Sequence, residues 1–223
     1  FVNFEKTQSL ENYAVGRIGL ITGDGGRFIR NWQEVDYSKI GFGISSNEES
    51  IESKKKWFPM QNGGDFRRWY GNLTSIVNWE EDGYEMKFDN YSGNRVKSHN
   101  YNGEYAFKEN ITWTTISSSN TSFRYANEGY IFDTAGPFCN IKNKNDIFYV
   151  LGYMQSIVAT YYLGLLNPTI NYPPGYVLAL PFMQERIIQN VKIEIIVKGS
   201  IKLSKSDWDS YEISWDFKKH PLV

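Results

Sequence analysis

A single cysteine, Cys139, rules out an intramolecular disulfide in this 223-residue chain and fits a reducing, cytoplasmic setting. Its apolar neighbours predict a buried, inert thiol. Only two histidines are present, His99 and His220, far apart and without an acidic residue in local spacing. That scarcity argues against Ser-His-Asp and Cys-His catalysis and leaves no His/Cys metal set. Net charge is also missing: the formal value is −1, so any polyanion-binding surface has to be local. No signal-peptide pattern follows Phe1, and the chain reads as a piece of something longer. The one long uncharged run, 147–166, contains Gln155, Ser156, Thr160, two glycines and four tyrosines, and lacks basic anchors on both sides. Apolar side chains at Leu151, Met154, Val158, Tyr162 and Leu165 predict a buried helix rather than a membrane span.

Aromatic residues, by contrast, make up 17 % of the chain, which favours strands or a stacking surface. Charge is segregated locally. Lys54, Lys55, Lys56, Arg67 and Arg68 against Asp65 leave +4 over 54–72, and the acidic block from Glu80 to Asp89 carries −4. The basic stretch also holds Trp57, Trp69, Tyr70 and the Gly63-Gly64 pair. Cations neutralise phosphate, rings stack on or wedge between bases, and glycine permits close backbone approach. The expectation is a loop over 54–72 that contacts nucleic acid, with the bland alternative of a solvated lysine run before a core-filling hairpin. Arg27 and Arg30, alternating with apolar neighbours over 27–32, are predicted to face outward from a half-buried strand. Thr112, Ser117, Ser118 and Asn120 offer short hydroxyl and amide donors for phosphate or base edges, residue types that are more often ordinary turn residues. Asn72, Asn90, Asn110 and Asn120 begin glycosylation sequons, which an Asn-rich chain generates by chance.

Periodicity predicts strands near 15–22, 76–79, 84–88, 111–116, 123–125 and 130–133, with a surface loop over 45–53 and turns at 80–83 and at Gly93-Asn94. After about Asn145 the period changes to that of helices, with a first helix over 147–166 and a second beginning near Pro181 on Met183, Ile187, Ile188 and Val191. The fold class is α+β: a mixed, mainly antiparallel sheet with a C-terminal helical portion. Residues 1–145 form the β-rich core, and 146–223 complete the same domain. Glu85-x-Lys87 has the spacing of a metal-dependent nuclease strand, but Glu52-x-Lys54 has it too, and a cross-strand ion pair explains it as well.

Several blocks carry a family resemblance. They are 58–72 (Phe-Pro-Met-Gln-Asn-Gly-Gly-Asp-Phe-Arg-Arg-Trp-Tyr-Gly-Asn), 19–28, 111–113, 129–133, 166–169 and 207–217. Taken along the chain, they resemble in content and order the PglX family, the adenine-specific DNA methyltransferases of bacterial BREX phage-defence systems, in the part beyond the catalytic domain. That part is similar to the target-recognition domains of TaqI-like and type I restriction-modification enzymes. The resemblance implies reading of double-stranded DNA through the 54–72 segment and docking to the methyltransferase domain of the same parent chain or to other defence subunits. S-adenosylmethionine is implied for the parent enzyme and no cofactor for this segment. The family's Asn-Pro-Pro-Tyr/Phe motif is absent, Asn171-Tyr172-Pro173-Pro174 being a shuffled look-alike, so catalytic residues are not expected. The rival reading is a protein-protein scaffold, and a carbohydrate-binding module fits the tri-lysine run poorly.

Overall fold

The structure is a computed structural model that describes residues 7–88, 95–118, 121–182, 191–220 and 222. Two four-stranded sheets face one another. The first runs in the order β2 (Ala14–Arg17), β9 (Phe138–Ile141), β6 (Asn110–Trp113), β7 (Phe123–Ala126), and every pairing is antiparallel. The second runs β3 (Ile29–Asn31), β5 (Ser75–Asn78), β4 (Trp57–Gln61), β8 (Ile131–Phe132), with only β4 and β8 parallel. A short pair, β1 (Gln8–Ser9) with β10 (Pro181–Phe182), ties the start of the chain to the region before the last helix. The α+β, mainly antiparallel expectation holds, with two sheets where one was expected.

β6 is buried on both faces although its sequence, Asn110-Ile111-Thr112-Trp113, alternates polar and apolar residues. Ile111 and Trp113 point into a core shared with α4 (Ile147–Met154), α5 (Ile157–Leu166) and Val197 of α7 (Val191–Trp208). The short helix α6 (Pro174–Leu178) packs on β2, where Gly16 leaves room for Pro174 and Leu178. Thr112 points the other way, in register with Arg124 on β7 and Phe138 on β9. Phe138 packs with Tyr70, Leu73, Tyr130, Phe132 and Trp208. Cys139 lies fully buried, and burial pushes its thiol up to about 12, as expected of an inert side chain.

Several local predictions need correction. The loop expected at 45–53 contains α2 (Asn47–Glu52), whose Ser46 hydroxyl accepts from Glu49 N at 3.2 Å, an N-cap ahead of an acidic first turn. The strand expected at 84–88 is helical instead. Within α3 (Glu80–Lys87) the backbone reverses through Glu81, Asp82 and Gly83, all at positive φ, and Trp79 anchors the turn in the core. The partners of β5 are therefore β3 and β4. The helix over 147–166 is two helices. The hydroxyl of Ser156 caps Ala159 N at 3.2 Å, and the Gln155 side chain donates to Phe123 O. Pro181 opens a strand rather than a helix. Met183, Ile187 and Ile188, like Asn90, Asn120 and the Gly93-Asn94 turn, lie outside the described residues. Among the described residues no helix is long and apolar enough to cross a membrane.

Candidate nucleic-acid interface

The segment 54–72 is not one loop. Its middle is β4, buried throughout and hydrogen-bonded on both sides. At about 3.3 Å per residue, a strand of this length holds Lys56 and Asn62 about 20 Å apart. The basic residues thus form two groups with different partners.

At the first end, Lys54, Lys55 and Lys56 follow α2. Lys54 is exposed, with φ of 53°. Lys55 Nζ donates to Ser38 O at 2.5 Å. Lys56 Nζ lies 3.8 Å from carboxylate oxygens of both Glu80 and Glu85. Glu85 also accepts from Arg27 Nη2 at 2.7 Å and Asn78 Nδ2 at 2.7 Å. Partial burial works to raise the Glu85 carboxyl, but the hydrogen bonds from Arg27 and Asn78 and the Lys56 charge outweigh it and hold it below the ordinary value. Arg27 and Lys56, 29 positions apart, are brought together by that one carboxylate. Glu85-x-Lys87 is thus part of an ion-pair network on a helix, with Lys87 Nζ 2.6 Å from Asp82. No group of three His, Cys, Asp or Glu side chains among the described residues is placed to hold a metal ion.

Arg27 and Arg30 do not alternate along one strand. Arg27 ends the single helical turn α1 (Gly25–Phe28), and Arg30 sits on β3 with its guanidinium 5.8 Å from the Trp57 ring. Both are half-buried. Arg30 lines an open cleft of about 660 Å³ with Gly25, Gly26, Asn31, Asn62, Ser75 and the carboxylate of Glu34, to which Asn31 Nδ2 donates at 3.5 Å. The amides of Asn31 and Asn62 escaped the sequence reading because their strands meet only through β5. The pairings Asn31 to Ser75 and Met60 to Ser75 carry the information, and no local pattern does.

At the second end, the residues turn inward. The Arg67 guanidinium pairs with Asp207, donates through Nε to Tyr70 O at 3.2 Å, and lies 5.0 Å from the Trp208 ring. Trp69 continues the first sheet: its N donates to Phe123 O at 3.0 Å, and its O accepts from Tyr125 N at 2.8 Å. Tyr70 is buried beneath Lys205, whose Nζ is 5.0 Å from the ring. Arg68 is exposed and has no salt bridge among the described residues. The Gly63-Gly64 pair serves packing rather than ligand approach. Both have positive φ, and a Cβ would sit 2.5 Å from Ala135 O at Gly63 and 2.8 Å from Asn72 Nδ2 at Gly64.

Thr112 is fully buried and its Oγ1 donates to Pro137 O at 2.9 Å; facing the second sheet, it is no surface donor. Ser117 N donates to Ile170 O at 2.9 Å, and Ser118 is exposed. In the same row as Thr112, Arg124 is fully buried without an acidic partner among the described residues. Its Nη2 reaches Gly63 O and Thr114 Oγ1, each at 3.3 Å, while Nε and Nη1 find no acceptor. Burial lowers its pKa to about 10. Nothing in the local sequence around Arg124 signals this.

With that geometry in hand, comparison with known proteins gives a consistent answer. The chain matches no protein-family profile. It is 37 % identical over 216 residues to the adenine-specific methyltransferase PglX of Lacticaseibacillus casei (strain Zhang), covering 96 % of this chain and 18 % of that protein. The chain is PglX/BrxX-like. It is also 34 % identical over 198 residues to the adenine-specific methyltransferase BrxX of Escherichia coli O9:H4 (strain HS), covering 88 % of this chain and 15 % of that protein. The chain thus spans less than a fifth of the length of these PglX and BrxX relatives.

Proposed function

We propose that this PglX/BrxX-like segment reads DNA for an adenine-specific methyltransferase, with S-adenosylmethionine and the chemistry supplied by the remainder of the parent protein. The observation that carries the reading is the first end of β4. There Lys54 and Lys55 carry charge that no described carboxylate neutralises within salt-bridge distance. Arg30 on β3, its guanidinium near Trp57, lines a cleft whose asparagine amides, Asn31 and Asn62, lie toward the other end of the strand beside the Glu34 carboxylate. Lysines of this kind neutralise phosphates; an Arg or Asn side chain reads guanine or adenine edges with paired hydrogen bonds. Arg27 and Lys56 flank the same surface through Glu85, and Arg68 offers a separate exposed cation at the other end. The test is duplex binding by the full-length enzyme as salt is varied. Arg30→Ala is expected to cost about 1–3 kcal/mol on the cognate site and much less on other duplexes. Equal loss on every duplex, or no loss, rejects base reading by this cleft.

A second reading, a scaffold that docks the rest of the parent chain, is favoured by one observation. On α5, Ile157, Val158, Tyr161 and Leu165 are exposed, Ile157 to 85 %, with Gly164 between them and no charged residue on the helix. An uncharged face of this kind is characteristic of a covered surface. Tyr161→Asp should abolish co-purification of this segment with the separately expressed remainder while leaving duplex binding by the segment intact. Unchanged co-purification removes the scaffold reading.

A further inference from the structure

Between the second sheet, α7 and the C-terminal turns lies a half-enclosed cavity of about 330 Å³ to which the predicted interface over 54–72 contributes only Pro59 and Tyr70. Its walls are flat. The Trp215 ring lies 5.3 Å from Phe42 and 6.3 Å from Tyr130, centre to centre, the latter at 28°, and Tyr37 packs on Phe42 at 5.0 Å. These four rings come from three separated stretches, so no sequence window displays them together. Aromatic faces arranged this way accept a planar partner in offset stacking.

The polar groups at the rim decide what kind of planar partner. Lys205 supplies the cationic side chain of the lining, and it is already committed: its Nζ lies 2.6 Å from Asp209 Oδ2 and 2.7 Å from Asp216 Oδ2. Partial burial works against that charge, but the two carboxylates outweigh it and raise its pKa above the ordinary lysine value. Asp216 Oδ1 and the carboxylate of Glu128 remain as acceptors, and Lys144 Nζ, the cation paired with Glu128, is 3.9 Å off. Carboxylates outnumber uncommitted cations here, so a phosphate or carboxylate ligand is repelled and an N–H donor is favoured. Small-molecule pockets run to about 300–1,000 Å³, which places this one at the size of a single heterocycle with at most a sugar.

We propose that this cavity binds an amino-bearing nucleobase, stacked on Trp215 and donating its exocyclic N–H groups to Asp216 and Glu128. Carboxylates accept from an amino edge, as they do from cytosine N4, and gain less from thymine, whose single N3–H donor is flanked by two carbonyls that a carboxylate repels. The base can arrive as a free nucleoside or unpaired from a nucleic-acid strand; only the second source rests on the DNA-reading function proposed above.

Calorimetric titration of the chain with cytidine, adenosine, thymidine and cytidine monophosphate tests it, alongside duplexes with and without one bulged cytosine. Cytidine or adenosine should bind saturably and at least about tenfold more tightly than thymidine, with the monophosphate weaker than its nucleoside. The Glu128→Gln/Asp216→Asn double variant should lose that preference, while Trp215→Leu should weaken all nucleosides together. A bulge that raises duplex affinity only when Trp215 is present assigns the base to a strand; binding of nucleosides without that effect assigns it to the free ligand. Equal affinity for thymidine, saturation by tetramethylammonium in competition with cytidine, or no saturable binding of any nucleoside overturns the proposal. Duplex binding that survives such a result leaves the DNA-reading function standing, and nucleoside binding without duplex binding removes that function alone.

Discussion

The two ends of β4 carry similar residues and do different work. At the first, Lys54 and Lys55 project from a helix-to-strand junction with backbone oxygens or solvent as partners. At the second, Arg67 is drawn onto Asp207 and Trp208, Trp69 is stitched to β7, and Tyr70 is buried. Composition alone gives both groups the look of a nucleic-acid contact. What separates them is the docking of α7, which supplies carboxylates and an indole to one end and nothing to the other. A charged side chain is available to a ligand only when the fold has not already given it a partner, and that is a tertiary property.

The comparison can be broken most forcefully at Gly63. Its positive φ and the 2.5 Å approach of Ala135 O predict that Gly63→Val destabilises the chain by about 3 kcal/mol or more, read as a shift in urea midpoint. Unchanged stability with lost DNA affinity would return that glycine to ligand approach. Next in size is Arg67→Ala, expected to cost about 1 kcal/mol, since its ion pair is partly solvated and its stacking on Trp208 adds little more. Arg68→Ala should stay within about 0.5 kcal/mol of the parent. Equal effects would mean that the two neighbours are not divided between core and surface.

The smallest effect concerns Glu85. Its folded pKa lies below its unfolded value, so its contribution to stability is fully present above the unfolded value and is lost as pH falls through the folded one. A Glu85→Gln variant should therefore be less stable than the parent at pH 7, and the two should converge in acid below the ordinary carboxylate range. A gap that persists in acid would mean that Arg27 and Lys56 are not held through the carboxylate charge.

Much of the first sheet was legible because β-branched and aromatic residues, Ile111, Thr112 and Trp113 on β6 and Phe123 and Tyr125 on β7, are bounded by polar turns. The residues 80–88 misled because Tyr84, Met86 and Phe88 alternate like a strand, while Glu81, Asp82 and Gly83 adopt left-handed conformations that only Trp79, anchored in the core, holds in place. Residues 147–166 showed one continuous apolar period, and the break at Ser156 is set by a hydroxyl cap and by Gln155 reaching across to β7. At the interface, Arg27, Arg30 and the lysine run were visible as types. Their grouping depended on Glu85 and on strand register, as did the burial of Thr112 and Arg124 between the sheets. Long-range pairing of that kind leaves no periodic trace.

The most direct measurement compares the salt dependence of duplex binding by full-length enzyme carrying Lys54→Ala/Lys55→Ala with that of enzyme carrying Arg67→Ala. The lysine pair should lower the log–log slope by up to about 2, near 0.9 for each phosphate left without its lysine, with no change in unfolding midpoint. The arginine variant should lower the midpoint and leave the slope unchanged. A slope that falls for Arg67 and stays constant for the lysines would contradict the assignment of an open end and a closed end to β4.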